Sequence, residues 1–312
     1  MKIAILGGGG AMGGLFGGYL ARAGNDVTLI DVSKAAISAI NENKLTIEEK
    51  DGSQPSFSVA ASDDPNSVGP VDLVVNFVKC YHTEAAIRSA APMIGPETAV
   101  LSLQNGWGNA ARIASLVGED RVLVGLTYHS ATLLAPGRVK HPGVGMTYIG
   151  ELGGKSSERL EKVAHAFRDA YFDVTLSDRI VDEVWKKLAL NACTLPTSAL
   201  LHFFAHELVA FEPVKLEMAA ILSEVVAVAN AQGISLDYDE RWNAIVSLLE
   251  KAIGGKASML QDVEASRQTE IDVINGAIVE AGKRVGVATP HNQAMVWMVQ
   301  AAEQRYLSAK AS

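Results

Sequence analysis

A glycine run near the start of the chain has a spacing that could do chemistry. The stretch MKIAILGGGGAMGG places Gly8, Gly10 and Gly13 in the order G-x-G-x-x-G, directly after the apolar run KIAIL. Glycines let the backbone turn sharply and approach a pyrophosphate, and the helix N-terminus behind them offers N–H groups and a positive dipole end. The pattern predicts a dinucleotide-binding loop made of Gly8, Gly10, Ala11, Met12 and Gly13.

An acidic residue follows these glycines at the distance expected for a ribose contact. Asp31 lies 18 positions after Gly13, at the end of the second apolar run, DVTLID. A carboxylate there can accept hydrogen bonds from the adenosine ribose hydroxyls, and it repels a 2′-phosphate. The sequence therefore favours NAD(H) over NADP(H), although Lys34 could offset the repulsion and Ser33 could donate to a phosphate.

The elements that must position these residues alternate between strand and helix. Strand-like runs recur at 71–78, 98–103 and 121–129, and 136–152 has the pattern of a hairpin-like β segment. From about residue 179 the pattern is helical, at 181–195, 207–232, 237–252, 258–282 and 290–308. We therefore predict an α/β protein in which an N-terminal Rossmann-type dinucleotide-binding domain, residues 1–178, is followed by an all-helical C-terminal domain, residues 179–312.

Composition excludes several classes of function. The chain has 312 residues, 48% of them hydrophobic, and a formal net charge of −8. That apolar fraction argues against disorder, and an acidic chain without a Lys/Arg run argues against nucleic-acid binding. Cys80 and Cys193 lie far apart without metal-ligand neighbours, which indicates a reducing compartment, the cytoplasm, and no disulfide or zinc site. We assign no metal.

The uncharged opening has two other interpretations, a membrane span and a signal peptide. Residues 3–21 carry no charge, which is close to a spanning length. Eight of these nineteen residues are glycine, however, and no second apolar span follows. A signal peptide needs a compact apolar core, and here the apolar part is only IAIL. We therefore predict no membrane association.

Several further motifs, in order along the chain, resemble the ketopantoate reductases (2-dehydropantoate 2-reductases). They are GGGAMGG at 8–14, VK at 78–79, QNGWGN at 104–109, PGRVKHPGVGMTYIGE, WKKLALNACTLPTSAL at 185–200 and SMLQDVEASRQTEIDVINGAIV at 258–279. The resemblance runs nearly end to end. It implies reduction of a small-molecule 2-keto acid to a 2-hydroxy acid by hydride transfer from a nicotinamide cofactor.

The resemblance places the family's catalytic lysine on Lys187. Asn191 lies four residues later and shares that helix face, so both side chains can point into the substrate cleft, and we expect Asn191 to bind substrate. A protonated lysine beside the carbonyl oxygen stabilises the developing alkoxide and can supply the proton. Lys186 is rotated away by helix geometry, and we expect it to pair outward with Asp182.

Other roles are implied in the same way. Glu270 aligns with the family's acidic active-site residue, and Ser258 with the serine that binds the substrate carboxylate, although a helix N-cap would also explain Ser258. Asn105 corresponds to a residue at the nicotinamide and substrate, although turn chemistry in the N-G pair is the alternative. Lys79 matches a cofactor contact. His141 matches a family histidine for which we expect a structural role, bonding a loop backbone.

Three departures from the family pattern keep another substrate open. Leu195 and Gly255 stand where the family usually has asparagines that reach substrate, and Asp31 departs from the NADPH preference of well-known members. A pocket that loses hydrogen-bonding groups selects a different substrate. The alternative is an NAD-dependent dehydrogenase of another 2-hydroxy acid, with a bulkier or more apolar substituent.

Two further hypotheses concern catalysis and assembly. A non-catalytic nucleotide-binding protein would carry a broken catalytic set, whereas Lys187, Asn191, Ser258 and Glu270 are all present. A helical second domain with exposed apolar faces is compatible with a homodimer, and no segment is diagnostic of an interface.

Overall fold

The computed structural model describes residues 1–311, which form two compact units. The α/β unit comprises Met1–Gln104 and Asn109–Ile180, and the helical unit comprises Asn105–Gly108 and the chain from Val181 onward. The predicted boundary, 178/179, lies two residues from this division. No local pattern indicated that the short segment Asn105–Gly108 groups with the helices.

An eight-stranded sheet forms the centre of the α/β unit. Its strand order is β12-β11-β8-β7-β6-β1-β2-β5, and its pairs are parallel except for the antiparallel pair β8–β11. The central strand KIAIL is buried from Ile3 to Leu6, as expected for a strand covered on both faces. The strands of the whole unit are β1 (Lys2–Leu6), β2 (Asp26–Ile30), β3 (Leu45–Glu49), β4 (Ser56–Phe57), β5 (Ala60–Ser62), β6 (Leu73–Asn76), β7 (Ala99–Ser102), β8 (Val122–Thr127), β9 (Ser130–Ala135), β10 (Arg138–Gly143), β11 (Thr147–Glu151) and β12 (Val174–Leu176).

Five helices accompany these strands. They are α1 (Ala11–Arg22), α2 (Lys34–Asn43), α3 (Thr83–Ser89), α4 (Asn109–Val117) and α5 (Glu158–Asp169). The alternation of strand and helix around a mainly parallel sheet confirms the predicted α/β class.

A second, four-stranded sheet of order β4-β3-β10-β9 packs on α1. The prediction of one hairpin-like segment at 136–152 was wrong, because β10 belongs to this sheet whereas β11 belongs to the large one. The glycines of α1 permit the packing on both sides. A Cβ on Gly17 would lie 2.3 Å from Leu29 of the large sheet, and one on Gly18 would lie 3.0 Å from Leu45 of the small sheet.

A buried polar chain links α1 to the small sheet. Tyr19 donates to Glu49, whose other carboxylate oxygen lies 3.0 Å from His141 Nδ1, and His141 Nε2 lies 3.1 Å from His129 Nδ1. Burial, and then the neighbouring His141, lower the pKa of His129 to about 4. The expectation that His141 bonds a loop backbone was wrong, since its hydrogen-bond partners are these two side chains.

The helical unit is built around α7. Its side chains Met218, Ile221, Leu222 and Val225 are fully buried, and α7 packs against α8, α10 and α11. The helices are α6 (Ile180–Leu201), α7 (Glu212–Ala231), α8 (Tyr238–Lys251), α9 (Ser258–Glu264), α10 (Asn275–Val285) and α11 (Pro290–Ala311). None of the helices in the described chain has both the length and the apolarity needed to cross a bilayer.

The prediction of one continuous helix over 258–282 was wrong. The chain leaves the helical conformation after Glu264, where Ser266 takes a φ of 51° and the Arg267 amide donates to the Asp262 carbonyl at 2.8 Å. A left-handed residue cannot continue a right-handed helix, so the segment 265–274 separates α9 from α10.

Candidate active site

The glycine loop is defined by close backbone approaches. A Cβ on Gly8 would lie 2.5 Å from Leu29 Cβ, and one on Gly13 would lie 2.2 Å from the Gly7 carbonyl oxygen. Neither position has room for a side chain. Gly10 is the N-cap of α1, so Ala11 and Met12 form the beginning of the helix.

The residues present in this loop fit a pyrophosphate. Gly10 has no side chain to cap α1, and the first turn holds no acidic residue. Within residues 1–311, the amides of Ala11 and Met12 have no acceptor in the protein. Because helix N-terminal amides and the helix dipole favour an anion, the loop can hold the phosphates of a dinucleotide.

Asp31 lies beside the same loop at the end of β2. Its carboxylate accepts from the Gly9 amide at 2.8 Å and from the Ser33 amide at 2.9 Å, so both oxygens are held by backbone donors. The Ser33 hydroxyl accepts from the Ala36 amide at 3.3 Å and caps α2. Lys34 pairs with Asp63. Both side chains that could favour a 2′-phosphate are therefore engaged elsewhere.

Sequence reasoning missed a buried amide network that holds the loop bearing Lys79. Lys79 follows β6 and begins a single turn of 3₁₀ helix. Gln104 Nε2 donates to the Val78 carbonyl and to Thr83 Oγ1, both at 2.7 Å, and Gln104 Oε1 accepts from the fully buried Asn76 at 2.8 Å. The sequence feature that could have indicated this network is Gln104, the glutamine of QNGWGN, which lies at the carboxyl end of β7.

In the helical unit, Lys187 and Asn105 are brought together from distant parts of the chain. Lys187 Nζ donates to Asn105 Oδ1 at 2.9 Å. The segment that carries Asn105 is fixed locally, because the Trp107 amide donates to the Val273 carbonyl at 2.8 Å and the Trp107 ring lies 5.8 Å from that of Trp185. The asparagine therefore has a defined position beside the lysine.

The electrostatics of Lys187 suit proton transfer near neutral pH. Although the residue is partly exposed, its amine is desolvated, and burial lowers the pKa of Lys187 to about 8, with the Glu270 carboxylate acting in the opposite direction. Glu270 is itself buried, with 7% of its surface exposed. An amine with this pKa is largely protonated at pH 7 and can release its proton readily.

The residues of α6 near Lys187 differ in their contacts and in their burial. Lys186 pairs with Glu183 at 2.8 Å, where we expected Asp182; three residues along a helix also share a face. Asn191, one turn after Lys187, is buried. Leu195 follows at the same four-residue spacing and is also buried.

The remaining predicted residues lie in the loop and helix before Glu270. Ser258 is the first residue of α9, and the N-cap position belongs to Ala257, so the hydroxyl does not cap the helix. Gly255 lies in the exposed loop before it, where its carbonyl accepts from the Ala205 amide at 2.9 Å.

No set of three or more His, Cys, Asp or Glu side chains in the described chain could hold a metal ion.

Comparison with known proteins identifies relatives of the whole chain. A family model described as ketopantoate reductase PanE/ApbA matches residues 3–154, and its C-terminal counterpart matches residues 179–303. The chain is 32% identical over 306 residues to a 2-dehydropantoate 2-reductase from Halobacterium salinarum, covering 97% of this chain and 99% of that protein.

Solved structures agree with this result. The crystal structure of a PanE/ApbA family ketopantoate reductase from Ralstonia eutropha has a TM-score of 0.90 at 32% identity, covering 98% of this chain and 100% of that one. A ternary structure of D-mandelate dehydrogenase with NADH and anilino(oxo)acetate has a TM-score of 0.93 at 30% identity, covering 98% and 99% respectively.

Proposed function

The chain belongs to the ketopantoate reductase family, and from that premise we propose that it is an oxidoreductase that reduces ketopantoate to pantoate with a nicotinamide dinucleotide. The reaction consumes one hydride and one proton and converts the 2-keto group into a 2-hydroxyl. The observation that carries the proposal is the desolvated amine of Lys187, held by Asn105 at 2.9 Å.

Lys187 acts as the general acid. When bound, the reduced nicotinamide supplies the hydride that adds to the keto carbon, and negative charge develops on the former carbonyl oxygen. Lys187 stabilises that charge and transfers a proton from Nζ to the oxygen, which leaves the amine neutral. Asn105 Oδ1 accepts one N–H of the Lys187 ammonium group. The other two N–H groups of the ammonium therefore point towards other acceptors.

The other proposed residues support this acid. Glu270 keeps the ammonium form populated, because a nearby carboxylate favours a charged lysine. Asn191 and Ser258 offer an amide and a hydroxyl for the substrate, and Ser258 would bind its carboxylate. Lys79, Asp31 and the loop from Gly8 to Gly13 would bind the cofactor.

The experiment that tests the assignment is steady-state reduction of ketopantoate by wild type and by Lys187→Ala. General acids contribute roughly 10²–10⁴-fold to rate, so we expect the kcat of the variant to fall by that factor with little change in cofactor affinity. Lys186→Ala is the matched control, since it removes an adjacent lysine that is paired with Glu183. Equal losses in both variants would overturn the assignment.

We propose NADH as the preferred donor. The support is the fixed carboxylate of Asp31 together with the engagement of Lys34 by Asp63 and of Ser33 as the α2 cap. A 2′-phosphate would meet an uncompensated negative charge there. The kcat/KM for NADH should exceed that for NADPH, and Asp31→Asn should reduce this ratio about tenfold, as expected for about 1.4 kcal/mol of lost repulsion. Higher efficiency with NADPH in the wild type would contradict the proposal.

A second candidate is an NAD-dependent dehydrogenase of a 2-hydroxy acid with an apolar substituent. It is favoured by the buried Leu195 on the lysine face of α6 and by the likeness to D-mandelate dehydrogenase. A comparison of ketopantoate with phenylglyoxylate separates the two, and Leu195→Asn should shift the kcat/KM ratio towards ketopantoate. A wild type that reduces only ketopantoate, with NADH or NADPH, excludes this candidate.

We also propose a cytoplasmic homodimer. The buried thiols Cys80 and Cys193 fit a reducing compartment, and the helical unit exposes the apolar side chains Phe211, Leu216 and Trp297. Sedimentation velocity measures the assembly, and a monomer at micromolar concentration would contradict the dimer.

A further inference from the structure

The segment that carries Glu270, residues 265–274 between α9 and α10, contains one single-turn 3₁₀ helix, Ile271–Val273, and is otherwise irregular. Its backbone includes the left-handed Ser266. Even so, Glu270 is buried and acts electrostatically on Lys187. We therefore ask which contacts from outside the segment help to position this carboxylate. The inference that follows rests on the role proposed above for Glu270.

One side of α11 supplies the contacts. Glu303 Oε1 accepts from the backbone amide of Thr269 at 2.6 Å, and both residues are buried, with 9% and 3% of their surfaces exposed. The hydroxyl of Tyr306 donates to the Arg267 carbonyl at 2.8 Å, and Gln300 donates to the Asp272 carboxylate at 2.9 Å. Residues 300, 303 and 306 are spaced by three and lie on one side of the helix.

Among these contacts, we expect the hydrogen bond to Glu303 to be the strongest. It is short, its acceptor is a carboxylate and it is shielded from water, and these conditions make a hydrogen bond strong. Its donor is the amide immediately before Glu270. The other two contacts lie at exposed positions, two or three residues away from Glu270.

The remaining charged groups of the segment are also engaged. Arg267 pairs with Asp262 at 3.0 Å, and Asp272 accepts from Gln300. Among residues 1–309, the charged groups with contacts to this part of the chain include Asp262, Arg267, Asp272 and Glu303, together with Lys187, on which Glu270 acts.

We propose that Glu303 is a positioning residue, which holds the Glu270 carboxylate beside Lys187 through the backbone amide of Thr269. Glu303 touches neither substrate nor cofactor in this role. Its contribution is the hydrogen bond that its side-chain oxygen accepts from the Thr269 amide, and not a direct electrostatic effect on Lys187.

The test compares Glu303→Gln, which keeps an acceptor oxygen, with Glu303→Ala, which removes it. The readout is the pH profile of kcat/KM for the 2-keto acid that the wild type reduces. Glu303→Ala should move the alkaline limb to lower pH by about half a unit or more, because a displaced Glu270 no longer supports the ammonium form. Glu303→Gln should retain the wild-type limb. Equal shifts in both variants would show that charge matters, and would overturn the proposal.

Three controls separate the possible failures. Tyr306→Phe removes a contact of the same segment and should leave the limb in place. Glu303→Asp, with a shorter side chain that cannot keep the 2.6 Å contact, gives the same test if Glu303→Ala does not fold, and its limb should also move. Glu270→Gln should move the limb at least as far. If Glu270→Gln leaves it unmoved, the proposed role of Glu270 fails; if only the Glu303 variants leave it unmoved, the positioning role alone fails.

Discussion

The glycine loop of the α/β unit occupies six consecutive residues, Gly8–Gly13, whereas the lysine cluster of the helical unit gathers Asn105, Lys187 and Glu270 from three separate segments. The loop works because side chains are absent, since a Cβ on Gly13 would collide with the backbone. The cluster depends on particular side chains, among which the Lys187 amine is desolvated and Glu270 is buried. Backbone shape therefore defines the glycine loop, and side-chain electrostatics define the lysine cluster. Different changes should disrupt the two regions.

The largest effect on cofactor affinity is expected from a substitution at Gly13. A methyl group at Gly13→Ala would lie 2.2 Å from the Gly7 carbonyl oxygen, so the loop must move. Overpacking of this kind costs about 1–3 kcal/mol, and here it also displaces the helix N-terminus. NADH affinity measured by fluorescence titration should fall at least tenfold, and Tm should drop.

Gly10→Ala is the matched control within the same loop. Its Cβ would lie 3.2 Å from the same oxygen, a contact that a small shift relieves. We expect a weaker effect on NADH affinity. Equal losses for the two variants would mean that steric fit does not define the loop.

An intermediate effect is expected from pH, which acts on the lysine cluster. With a Lys187 pKa of about 8, reduction should be constant below that pH and fall tenfold per unit above it, because only the ammonium form donates a proton. The reverse oxidation needs the neutral amine and should rise with pH up to the same value. For an unperturbed lysine, with a pKa of about 10.4, the fall would begin two units higher.

Stopped-flow single-turnover rates report this step without product release. NADH affinity should remain unchanged between pH 6 and 9 if the glycine loop depends only on backbone shape. A rate limb near the unperturbed lysine value would contradict the desolvation of the amine.

The smallest effect is expected at Ser33, which caps α2 next to Asp31. Ser33→Ala should reduce the free energy of unfolding by about 0.5–2 kcal/mol, the usual contribution of an N-cap. The ratio of kcat/KM values for NADH and NADPH should stay unchanged. A selective loss of NADPH use would instead place the hydroxyl at the 2′-phosphate.

The same contrast explains what the sequence could predict. The glycine loop, β1 and β2 were predictable because spacing and apolar runs are local patterns, and the α/β class followed from them. The break at 265–274 was not, because the left-handed residue that ends α9 is Ser266, whereas glycine and asparagine are the usual sequence signals for such an end. The small sheet was also missed, since β4 has only two residues and β3 pairs with β10, far along the chain.

The site was predictable only in part for a related reason. Motifs indicated Lys187, Glu270 and Asn105, and two of them make a direct contact; their catalytic roles stay predictions. The lowered pKa of Lys187 depends on desolvation, which no motif encodes. The Lys186 partner was misplaced by one residue, because the third and fourth preceding residues of a helix are both within reach.

The short segment Asn105–Gly108 has a consequence for dissecting the molecule. The polypeptide passes from one unit to the other at 104/105, at 108/109 and at 180/181, so neither unit is a single uninterrupted stretch. A fragment ending at Ile180 would retain Trp107 without Trp185 and Val273, to which it is bound. Exchange of the helical half between relatives would therefore need two grafts, the C-terminal stretch and this tetrapeptide, for Lys187 and its acceptor Asn105 to remain a matched pair.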